Sequence, residues 1–464
     1  MTRWHKDFKG KKVLVMGLGV HGGGVGAAVF FLRAGADVLI TDLKPARELG
    51  ASLKKLSEKQ GRVASVLGRH RIGDFRGADL VIKNPGVKPD SPYLAAARGA
   101  GVRVTSEMGI FFCYAPAHII GITGTRGKST TATLIAEFLK TKYPRVFLAG
   151  NIRSSALDLL PRLKKTDIVV LELSSFQLQD MRDEAENSVD AAAAFQSKPE
   201  AAVITNIMRD HLNWHETLAA YRAAKQTIFS FQGPTEFLFV PAGDRAVAAL
   251  VRAARSRIIP CVPPDSAFTA LVNERLGAHY VSSAAIAAAV ARHFGVGHRA
   301  ILKTLRSFRG LEGREEDIGR IRGIQFINDT TATIPDAAIA ALRRFRLKSG
   351  RGKRLILIAG GTDKKLEFPA FASAVTAMAD GVVLLPGTAT AQLKKLIPKN
   401  RMPIRAAPSM ADAVKIAFAM ARPGDTILLS PGAASFGLFV NEFDRGEQFV
   451  REVRKLRMKS KIKS

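Results

Sequence analysis

The segment GITGTRGKST, residues 121–130, has the residue types of a loop that binds nucleotide phosphates. Backbone amides at the start of a helix attract phosphate, a lysine can reach the outer phosphates, and a hydroxyl can ligate Mg²⁺. The spacing departs from the common pattern G-x-x-x-x-G-K-[ST], because Gly124 lies three residues before Gly127 and Gly121 lies six. The strand HIIGIT leads into the loop and STTATLIAEFLK continues as a helix, so we expect an ATP site here.

A second glycine-rich loop, GLGVHG, directly follows an apolar strand near the start of the chain. Gly17, Gly19 and Gly22 have the spacing G-x-G-x-x-G, and Asp42 ends the next strand, twenty residues beyond Gly22. Glycines allow a tight turn and close approach to a pyrophosphate, and the acid can bind a ribose or a base. We interpret the loop as a nucleotide diphosphate site. A purely structural turn and the cofactor site of an NAD(P)-dependent dehydrogenase are the alternatives.

Acidic and basic side chains follow further strands of the central part of the chain. Glu172 ends a strand in LELSSFQL (171–178), and the segments NIMRDHLNWH (206–215) and YRAAK (221–225) come later. A lone buried glutamate is usually paired structurally, but this one shares an α/β unit with a phosphate-binding loop. Mg²⁺ prefers oxygen ligands, and Ser129 with Glu172 would provide them.

Short apolar runs alternate with helical stretches almost throughout, which predicts a parallel α/β architecture. The strands fall into three groups, with borders near residues 107 and 310. The first group contains KVLVMGLG, DVLITD, ADLVIKNPG and VRVTSE. The second contains AHIIGITGT, DIVVLELSS and AAVITNI, and the third contains IQFINDT, RLILIAGG, GVVLLPG and TILLSPG.

The composition indicates a basic protein without membrane insertion. Among 464 residues, 70 Lys and Arg stand against 40 Asp and Glu, which gives a net charge of +30 and favours anionic partners. Aromatic–basic interleaving and DNA-binding motifs are absent from the sequence, so we favour a generally basic surface over a specific nucleic-acid partner. Apolar runs stay below the roughly 18 residues of a membrane span. The N-terminus is too short and glycine-rich for a signal peptide, and two cysteines provide no disulfide framework, so we expect a cytoplasmic protein.

Taken together, these motifs resemble the Mur ligases of peptidoglycan synthesis over nearly the whole chain. That family carries a loop of the type TGTNGK[ST]T, with its own glycine spacing. LELSSFQL, DHL followed by YRAAK, and the ending SPGAASFGLFVNEFDRGEQF (430–449) are similar to the branch that adds glutamate. The resemblance implies three domains: a Rossmann-like UDP-substrate domain (1–107), a central P-loop-type ATPase domain with a mainly parallel sheet (108–309), and a Rossmann-like amino-acid-binding domain (310–464).

The resemblance also implies a role for each matching residue. ATP would be bound by Gly124, Thr125, Arg126, Gly127, Lys128, Ser129 and Thr130, and by Arg314 and Asp329. The UDP substrate would contact Gly17, Gly19, Val20, His21, Gly22, Asp42, Asn84, Asn151 and Ser174. Glutamate would contact Thr333, Lys364 and Ser435. Ser129 and Glu172 would ligate one Mg²⁺, while His211 and Lys225, the latter as a carbamate, would bind a second. Lys128, His211 and Lys225 would be the catalytic residues.

The implied reaction is ATP-dependent amide formation by a monomeric enzyme. The carboxylate of UDP-N-acetylmuramoyl-L-alanine would attack the γ-phosphate, and the amine of D-glutamate would then attack the resulting acyl phosphate. Addition of L-glutamate, as in a related branch, is the nearest alternative. A non-catalytic protein that binds UDP-sugars or nucleic acid is a more distant one.

The chain departs from the family pattern at several sites. Thr331 stands where a lysine is usual, which would forfeit a hydrogen bond to a charged group worth about 1.5–3 kcal/mol. Glu442 replaces an uncharged residue and would repel an acidic amino acid unless a cation lies between them. The other departures are Arg126 for asparagine, Tyr280 and Ser283 for two asparagines near the adenine, and Gly313 for histidine.

Overall fold

The computed structural model describes residues 3–19, 23–60, 63–151, 155–187, 198–308, 310–349, 352–363, 366–398, 400–435 and 437–461. Val20, His21, Gly22 and Lys364, which the sequence assigns to binding sites, lie outside these ranges. Contacts divide the chain into two compact units, Met1–Ser307 and Phe308–Ser464. The first unit holds two sheets and the second unit holds one, so the predicted borders at 107 and 310 remain predictions.

The first sheet has five parallel strands in the order β3-β2-β1-β4-β5. Its central strands are nearly continuous apolar runs, because a parallel sheet with helices on its faces buries both sides of each strand. The strands are β1 (Lys12–Met16), β2 (Asp37–Asp42), β3 (Ala64–Leu67), β4 (Leu80–Lys83) and β5 (Arg103–Ser106). The helices are α1 (Arg3–Phe8), α2 (Gly23–Arg33), α3 (Gly50–Gln60), α4 (Ile72–Arg76), α5 (Pro92–Gly99) and α6 (Glu107–Tyr114).

The second sheet has six strands in the order β11-β10-β9-β6-β8-β7, and all its described pairs are parallel. The strands are β6 (His118–Thr123), β7 (Val146–Gly150), β8 (Ile168–Glu172), β9 (Ala201–Ile204), β10 (Phe237–Pro241) and β11 (Arg257–Cys261). The helices are α7 (Lys128–Leu139), α8 (Ser175–Glu186), α9 (Leu212–His215), α10 (Leu218–Ser230), α11 (Arg245–Leu250), α12 (Ser266–Arg275), α13 (Val281–His293) and α14 (His298–Ser307).

The third sheet, in the second unit, has the order β12-β13-β17-β14-β15-β16. Its first pair, β12–β13, is antiparallel, and the other described pairs are parallel. The strands are β12 (Glu316–Ile321), β13 (Ile324–Asn328), β14 (Leu355–Gly360), β15 (Gly381–Leu385), β16 (Ile404–Ala406) and β17 (Thr426–Leu429). The helices are α15 (Pro335–Ser349), α16 (Pro369–Met378), α17 (Thr388–Leu396), α18 (Met410–Met420) and α19 (Glu442–Lys461).

The predicted α/β class is confirmed, and the sheet topology explains where binding residues gather. In a parallel sheet the carboxyl ends of neighbouring strands meet at one edge, which is where ligands bind in open α/β folds. The glycine loops and the acids singled out in the sequence follow such strand ends in each sheet. Within the described part of the chain, every helix is too short or too polar to cross a bilayer.

Candidate active site

The predicted ATP loop (residues 124–127), called the ATP loop below, connects β6 to α7 and depends on two glycines. Gly124 and Gly127 have φ values of +148° and +79°, which other residues rarely adopt. A Cβ atom at Gly124 would also overlap with the Thr205 hydroxyl. Gly127 is the N-cap of α7 and has no side chain to cap the helix, so the first amides of α7 face the loop without a side-chain acceptor from that residue. Such amides bind phosphate well.

The residues that follow β9 hold this loop in shape. The amide nitrogen of Thr125 donates to the carbonyl oxygen of Asn206 at 3.1 Å. The amide of Arg126 donates to Asn206 Oδ1 at 2.9 Å, and the Thr205 hydroxyl donates to the Arg126 carbonyl at 2.6 Å. Sequence reasoning missed both Thr205 and Asn206, because their role depends on β9 lying beside β6 in the sheet. Arg126 itself is exposed, with its backbone in the loop.

Lys128 and its neighbours provide the polar groups of the loop. Lys128 Nζ donates to the carbonyl oxygens of Gly124 and Thr125, each at 3.0 Å, so the ammonium lies across the loop. Ser129 is half-buried in the first turn of α7. The hydroxyl oxygen of Thr130 is buried and has no hydrogen-bond partner among the described residues. Ser283 of α13 lies against Gly127, since a Cβ there would come within 2.7 Å of its hydroxyl oxygen.

Lys225 of α10 also contacts this loop. Its Nζ donates to the Gly124 carbonyl at 2.8 Å and lies 3.4 Å from Thr123 Oγ1, and the side chain is buried. Burial, reinforced by the positive charge of Lys128, lowers the pKa of Lys225 to about 7. A substantial fraction of the side chain is therefore neutral near pH 7. A neutral amine is the form that reacts with CO₂ to give a carbamate.

An aromatic cluster includes His211 and Tyr221, and the Tyr221 ring lies against this lysine. The phenol oxygen of Tyr221 lies 3.0 Å from Thr125 Oγ1, and its ring centroid lies 4.7 Å from Lys225 Nζ. The ring of Phe176 contacts His211 with a centroid separation of 4.9 Å. His211 has a positive φ of +51°, which is uncommon for a residue other than glycine and marks a locally constrained turn. Sequence reasoning did not assign roles to Tyr221 or Phe176.

Glu172 is the predicted metal ligand at the carboxyl end of β8. It is 2% exposed at the end of β8, where Oε1 accepts a hydrogen bond from Asn151 Nδ2 at 3.2 Å. Its other carboxylate oxygen, Oε2, is buried and lacks a hydrogen-bond partner among the described residues. A buried unpaired carboxylate oxygen is unfavourable unless it meets a cation, and Mg²⁺ is a hard cation with this preference. Across the described residues, no three His, Cys, Asp or Glu side chains are grouped so that they could hold a metal ion.

Ser174, two residues after Glu172, is the N-cap of α8. Its hydroxyl accepts a hydrogen bond from the Gln177 amide, and the Gln177 side chain accepts one from the Ser174 amide. This reciprocal capping box fixes the start of the helix. Ser174 and Asn151 therefore flank Glu172 at the carboxyl edge of the second sheet.

The glycine loop of the first sheet is held by Asp42 and Asn84. Gly17 and Gly19 have φ values of +91° and +62°. Asp42 Oδ2 accepts from the Gly19 amide at 3.2 Å, and Oδ1 accepts from the Lys44 amide at 2.9 Å. Asn84 Nδ2 donates to the Gly17 carbonyl at 3.3 Å. Asp42 and Asn84 thus shape the predicted substrate loop, a role that the sequence pattern did not indicate.

In the second unit, Asp329 directly follows β13. Its Oδ2 accepts a hydrogen bond from Ser430 Oγ at 2.7 Å, and its Oδ1 accepts one from the Glu315 amide at 3.2 Å. Burial raises the pKa of Asp329 to about 7, although Ser430 and the positive charges of Arg314 and Arg445 oppose the shift. Arg314 is half-buried.

A buried cation, Arg445, interacts electrostatically with Glu442. Arg445 is fully buried and donates to both the hydroxyl and the carbonyl oxygen of Thr330. Burial lowers the pKa of Arg445 to about 10, and the nearby Glu442 carboxylate works in the opposite direction. The Thr330 hydroxyl in turn donates to the Glu442 carbonyl at 2.6 Å.

Two of the residues predicted to bind glutamate are described by the structure: Thr333 follows β13 and Ser435 follows β17. Thr333 is half-buried and Ser435 is buried. The Thr331 amide donates to the Gly313 carbonyl at 2.9 Å, which joins two of the positions where the chain departs from the family pattern.

Three family models match the chain over most of its length. They are the MurD-like N-terminal domain of Mur ligases (residues 11–106), the Mur ligase middle domain (122–263) and the Mur ligase glutamate ligase domain (313–432). Among solved structures, UDP-N-acetylmuramate-alanine ligase from Thermotoga maritima has a TM-score of 0.58 at 20% identity and covers 96% of this chain and 99% of its own. MurF ligase from Thermotoga maritima, in complex with ADP, has a TM-score of 0.51 at 16% identity, covering 98% and 97%. This chain has the same fold as these two structures.

Curated relatives are more similar in sequence. The UDP-N-acetylmuramoylalanine–D-glutamate ligase of Roseiflexus sp. (strain RS-1) is 39% identical over 96% of this chain and 98% of its own length. The protein of the same name from Borreliella burgdorferi (strain ATCC 35210) is 34% identical, covering 97% and 99%. The chain therefore belongs to the Mur ligase family and, within it, groups with the UDP-N-acetylmuramoylalanine–D-glutamate ligases.

Proposed function

We propose that this chain uses ATP to join D-glutamate to UDP-N-acetylmuramoyl-L-alanine in peptidoglycan precursor synthesis. The observation that carries the proposal is the convergence of Lys128 and Lys225 on the carbonyl oxygen of Gly124, at 3.0 and 2.8 Å, in a loop shaped for phosphate. Relatives that bear the name of this activity match almost the full chain, and a fold relative carries ADP.

The first step is phosphoryl transfer to the substrate carboxylate. A carboxylate oxygen attacks the γ-phosphorus, and the bond between that phosphorus and the β-γ bridging oxygen breaks. ADP is the leaving group, and an acyl phosphate is the product. A carboxylate is already nucleophilic, so positioning and charge neutralisation carry this step. The first amides of α7 and the Lys128 ammonium bind the phosphates. Thr125 and Arg126 hold the loop through their contacts with Asn206.

Ser129 and Glu172 are the proposed ligands of one Mg²⁺, and His211 with carbamylated Lys225 the proposed ligands of a second. Bound Mg²⁺ would neutralise charge on the transferring phosphoryl group. The carbamate forms when the neutral Lys225 amine bonds to the carbon of CO₂ and releases a proton. It converts a buried cation into an anionic oxygen ligand, which a hard metal prefers.

The second step forms the amide bond. The neutral amine of glutamate attacks the acyl carbon, a tetrahedral intermediate collapses, phosphate leaves, and the amine loses a proton. Thr333, Lys364 and Ser435 are proposed to bind the glutamate, and Arg314 and Asp329 to contact ATP. Gly17, Gly19 and Asn84, together with Val20, His21, Gly22, Asp42, Asn151 and Ser174, are proposed to bind the UDP substrate.

The deciding experiment is phosphate release from ATP in the presence of UDP-N-acetylmuramoyl-L-alanine and either D-glutamate or L-glutamate. We expect a clear preference for D-glutamate, because relatives at 31–39% identity are named UDP-N-acetylmuramoylalanine–D-glutamate ligases. Arg445 beside Glu442 supplies the positive charge that offsets the extra carboxylate. A preference for L-glutamate would assign the chain to the other branch, and release with neither would overturn the proposal.

A substitution in the loop tests the ATP site separately. Lys128→Ala should nearly abolish phosphate release while binding of the UDP substrate persists, because the two sites use different loops. The control is Lys140→Ala, at the other end of α7, where the lysine is exposed and pairs with Glu137 at 2.6 Å. Full activity of the Lys128 variant would contradict the ATP-loop assignment.

We further propose that the enzyme acts in the cytoplasm as a monomer. Cys113 and Cys261 are both free thiols, which suits a reducing compartment. Light scattering of the purified protein would test the monomer, and a stable dimer would overturn it.

A further inference from the structure

Helix α8 presents two acidic side chains to the first sheet. Asp180 and Glu184 are four residues apart and therefore lie on one face of the helix. Lys83 Nζ, at the end of β4, contacts Asp180 Oδ1 at 2.5 Å. Arg103 of β5 contacts Glu184 Oε1 at 2.7 Å. The two ion pairs connect α8 to adjacent strands of the first sheet, although the helix itself follows β8 of the second sheet.

The Lys83–Asp180 pair is much more buried than its neighbour. The side chains of Lys83 and Asp180 are 5% and 4% exposed, whereas Arg103 is 43% exposed. Asp180 Oδ2 is buried and has no hydrogen-bond partner among the described residues. A buried ion pair with an unsatisfied oxygen is a weak source of stability, because desolvation offsets the attraction and apolar replacements are often at least as stable. A geometric role accounts for this pair better than a stabilising one.

The pair joins two parts of the proposed active site. On one side, Lys83 is followed directly by Asn84, whose side-chain Nδ2 donates to the carbonyl of Gly17 in the predicted substrate loop. On the other side, α8 begins at Ser175, three residues after Glu172. The chain between Glu172 and Ser175 is fixed by the capping box of Ser174. The position of α8 therefore sets the distance between the predicted substrate loop and the carboxyl edge of the second sheet, where Glu172 and the ATP loop lie.

We propose that Lys83 and Asp180 are positioning residues whose ion pair fixes the distance between the UDP-substrate loop and the ATP loop. The pair holds the substrate carboxylate where it can meet the γ-phosphate in line. This inference rests on the proposed function. Because misplacement of reacting groups by about 1 Å can slow a reaction by about 100-fold, such a pair affects turnover more than binding.

The test uses Lys83→Met, Asp180→Asn and the apolar double variant Lys83→Met/Asp180→Leu. We measure kcat for the ligase reaction, calorimetric affinities for UDP-N-acetylmuramoyl-L-alanine and ATP, and Tm. Each single variant should lower kcat by about tenfold or more, while both affinities stay within about twofold, because each ligand contacts its own loop. The double variant should regain the Tm lost by the single variants but not the kcat.

A matched control pair lies at the opposite edge of the second sheet. Arg145 Nε contacts Asp167 Oδ1 at 2.7 Å, and the Asp167 side chain is fully buried just before β8. Asp167→Asn should lower Tm and leave kcat, assayed well below Tm, unchanged.

The outcomes separate the inference from the proposed function. Unchanged kcat in the Lys83 and Asp180 variants of an active enzyme would overturn the inference alone, as would a double variant whose kcat recovers together with its Tm. Loss of substrate affinity in proportion to kcat would also overturn it, since Lys83 would then act in binding. A wild-type protein without turnover would overturn the proposed function and this inference with it.

Discussion

The phenol oxygen of Tyr221 lies 3.0 Å from the hydroxyl oxygen of Thr125, while the ring of the same tyrosine covers Lys225 Nζ at 4.7 Å. The Tyr221 side chain therefore contacts both the ATP loop and Lys225. Thr125 Oγ1 also accepts a hydrogen bond from the Met208 amide at 2.9 Å and lies 3.4 Å from the Met208 carbonyl oxygen, to which it can donate. Tyr221 links the loop to the segment that carries His211.

Tyr221→Phe removes this hydrogen bond and keeps the ring over Lys225. We expect the KM for ATP to rise by about fivefold with a smaller change in kcat, since a neutral hydrogen bond contributes about 1 kcal/mol net. Steady-state kinetics at varied ATP would measure it. Thr125→Val removes this bond together with the contact to Met208, so its effect should be at least as large, and the double variant should be no worse than Thr125→Val alone. Additive losses would show that Tyr221 and Thr125 act independently.

Lys225→Ala tests the carbamate hypothesis. The variant should lose nearly all activity and regain part of it with formate or acetate, because a small carboxylate can occupy the space of the carbamate. Phosphate release at increasing carboxylate concentration is the measurement. Lys128→Ala is the matched control, since its missing cation cannot be replaced by an anion. Rescue of both variants, or of neither, would count against carbamylation.

Asp329→Asn should change how stability depends on pH. Burial raises the pKa of Asp329 from 3.8 to about 7, so between these values the folded protein binds more protons than the unfolded chain. The free energy of unfolding contributed by this group is therefore highest at low pH and falls as pH rises towards about 7. The variant lacks this dependence, so its Tm relative to wild type should be higher at pH 8 than at pH 5. A constant Tm difference would contradict the raised pKa.

Gly26→Ala tests the close packing of α2 against the segment after β7. A Cβ atom at Gly26 would overlap with the side chain of Ser155. Such overpacking destabilises by about 1–3 kcal/mol, so we expect a lower Tm. Gly50→Ala, at the start of α3, is the control. A Cβ atom there meets no atom within 4 Å, and the substitution should be neutral or slightly stabilising. Equal effects of both substitutions would argue against close packing at Gly26.

The sequence predicted the strands and their carboxyl-end residues well, because these depend on local pattern. The run KVLVMG predicts both β1 and the glycine turn after it. Glu172 is recognisable from the sequence as the last residue of a buried strand. Helix α7 is equally evident from the Gly-Lys-Ser-Thr start. The α/β class follows from the repeated alternation of such strands with helices.

The remaining features depend on contacts between distant segments. Asn206 shapes the ATP loop because β9 pairs with β6, and sequence order alone does not reveal that pairing. Lys83 and Asp180 are 97 residues apart, and each looks like an ordinary surface charge in its own segment. The lowered pKa of Lys225 similarly requires its burial, which the motif YRAAK does not encode.

The predicted binding residues lie at the carboxyl edges of the sheets, so the opposite edges are suitable for labelling. Lys164 and Lys165 are exposed in the turn that precedes β8, at the amino end of that strand. Exposed turns of this kind tolerate substitution and attachment. Since Cys113 and Cys261 are buried, a fluorophore could be attached selectively at Lys165→Cys, on the side of the second sheet away from the ATP loop.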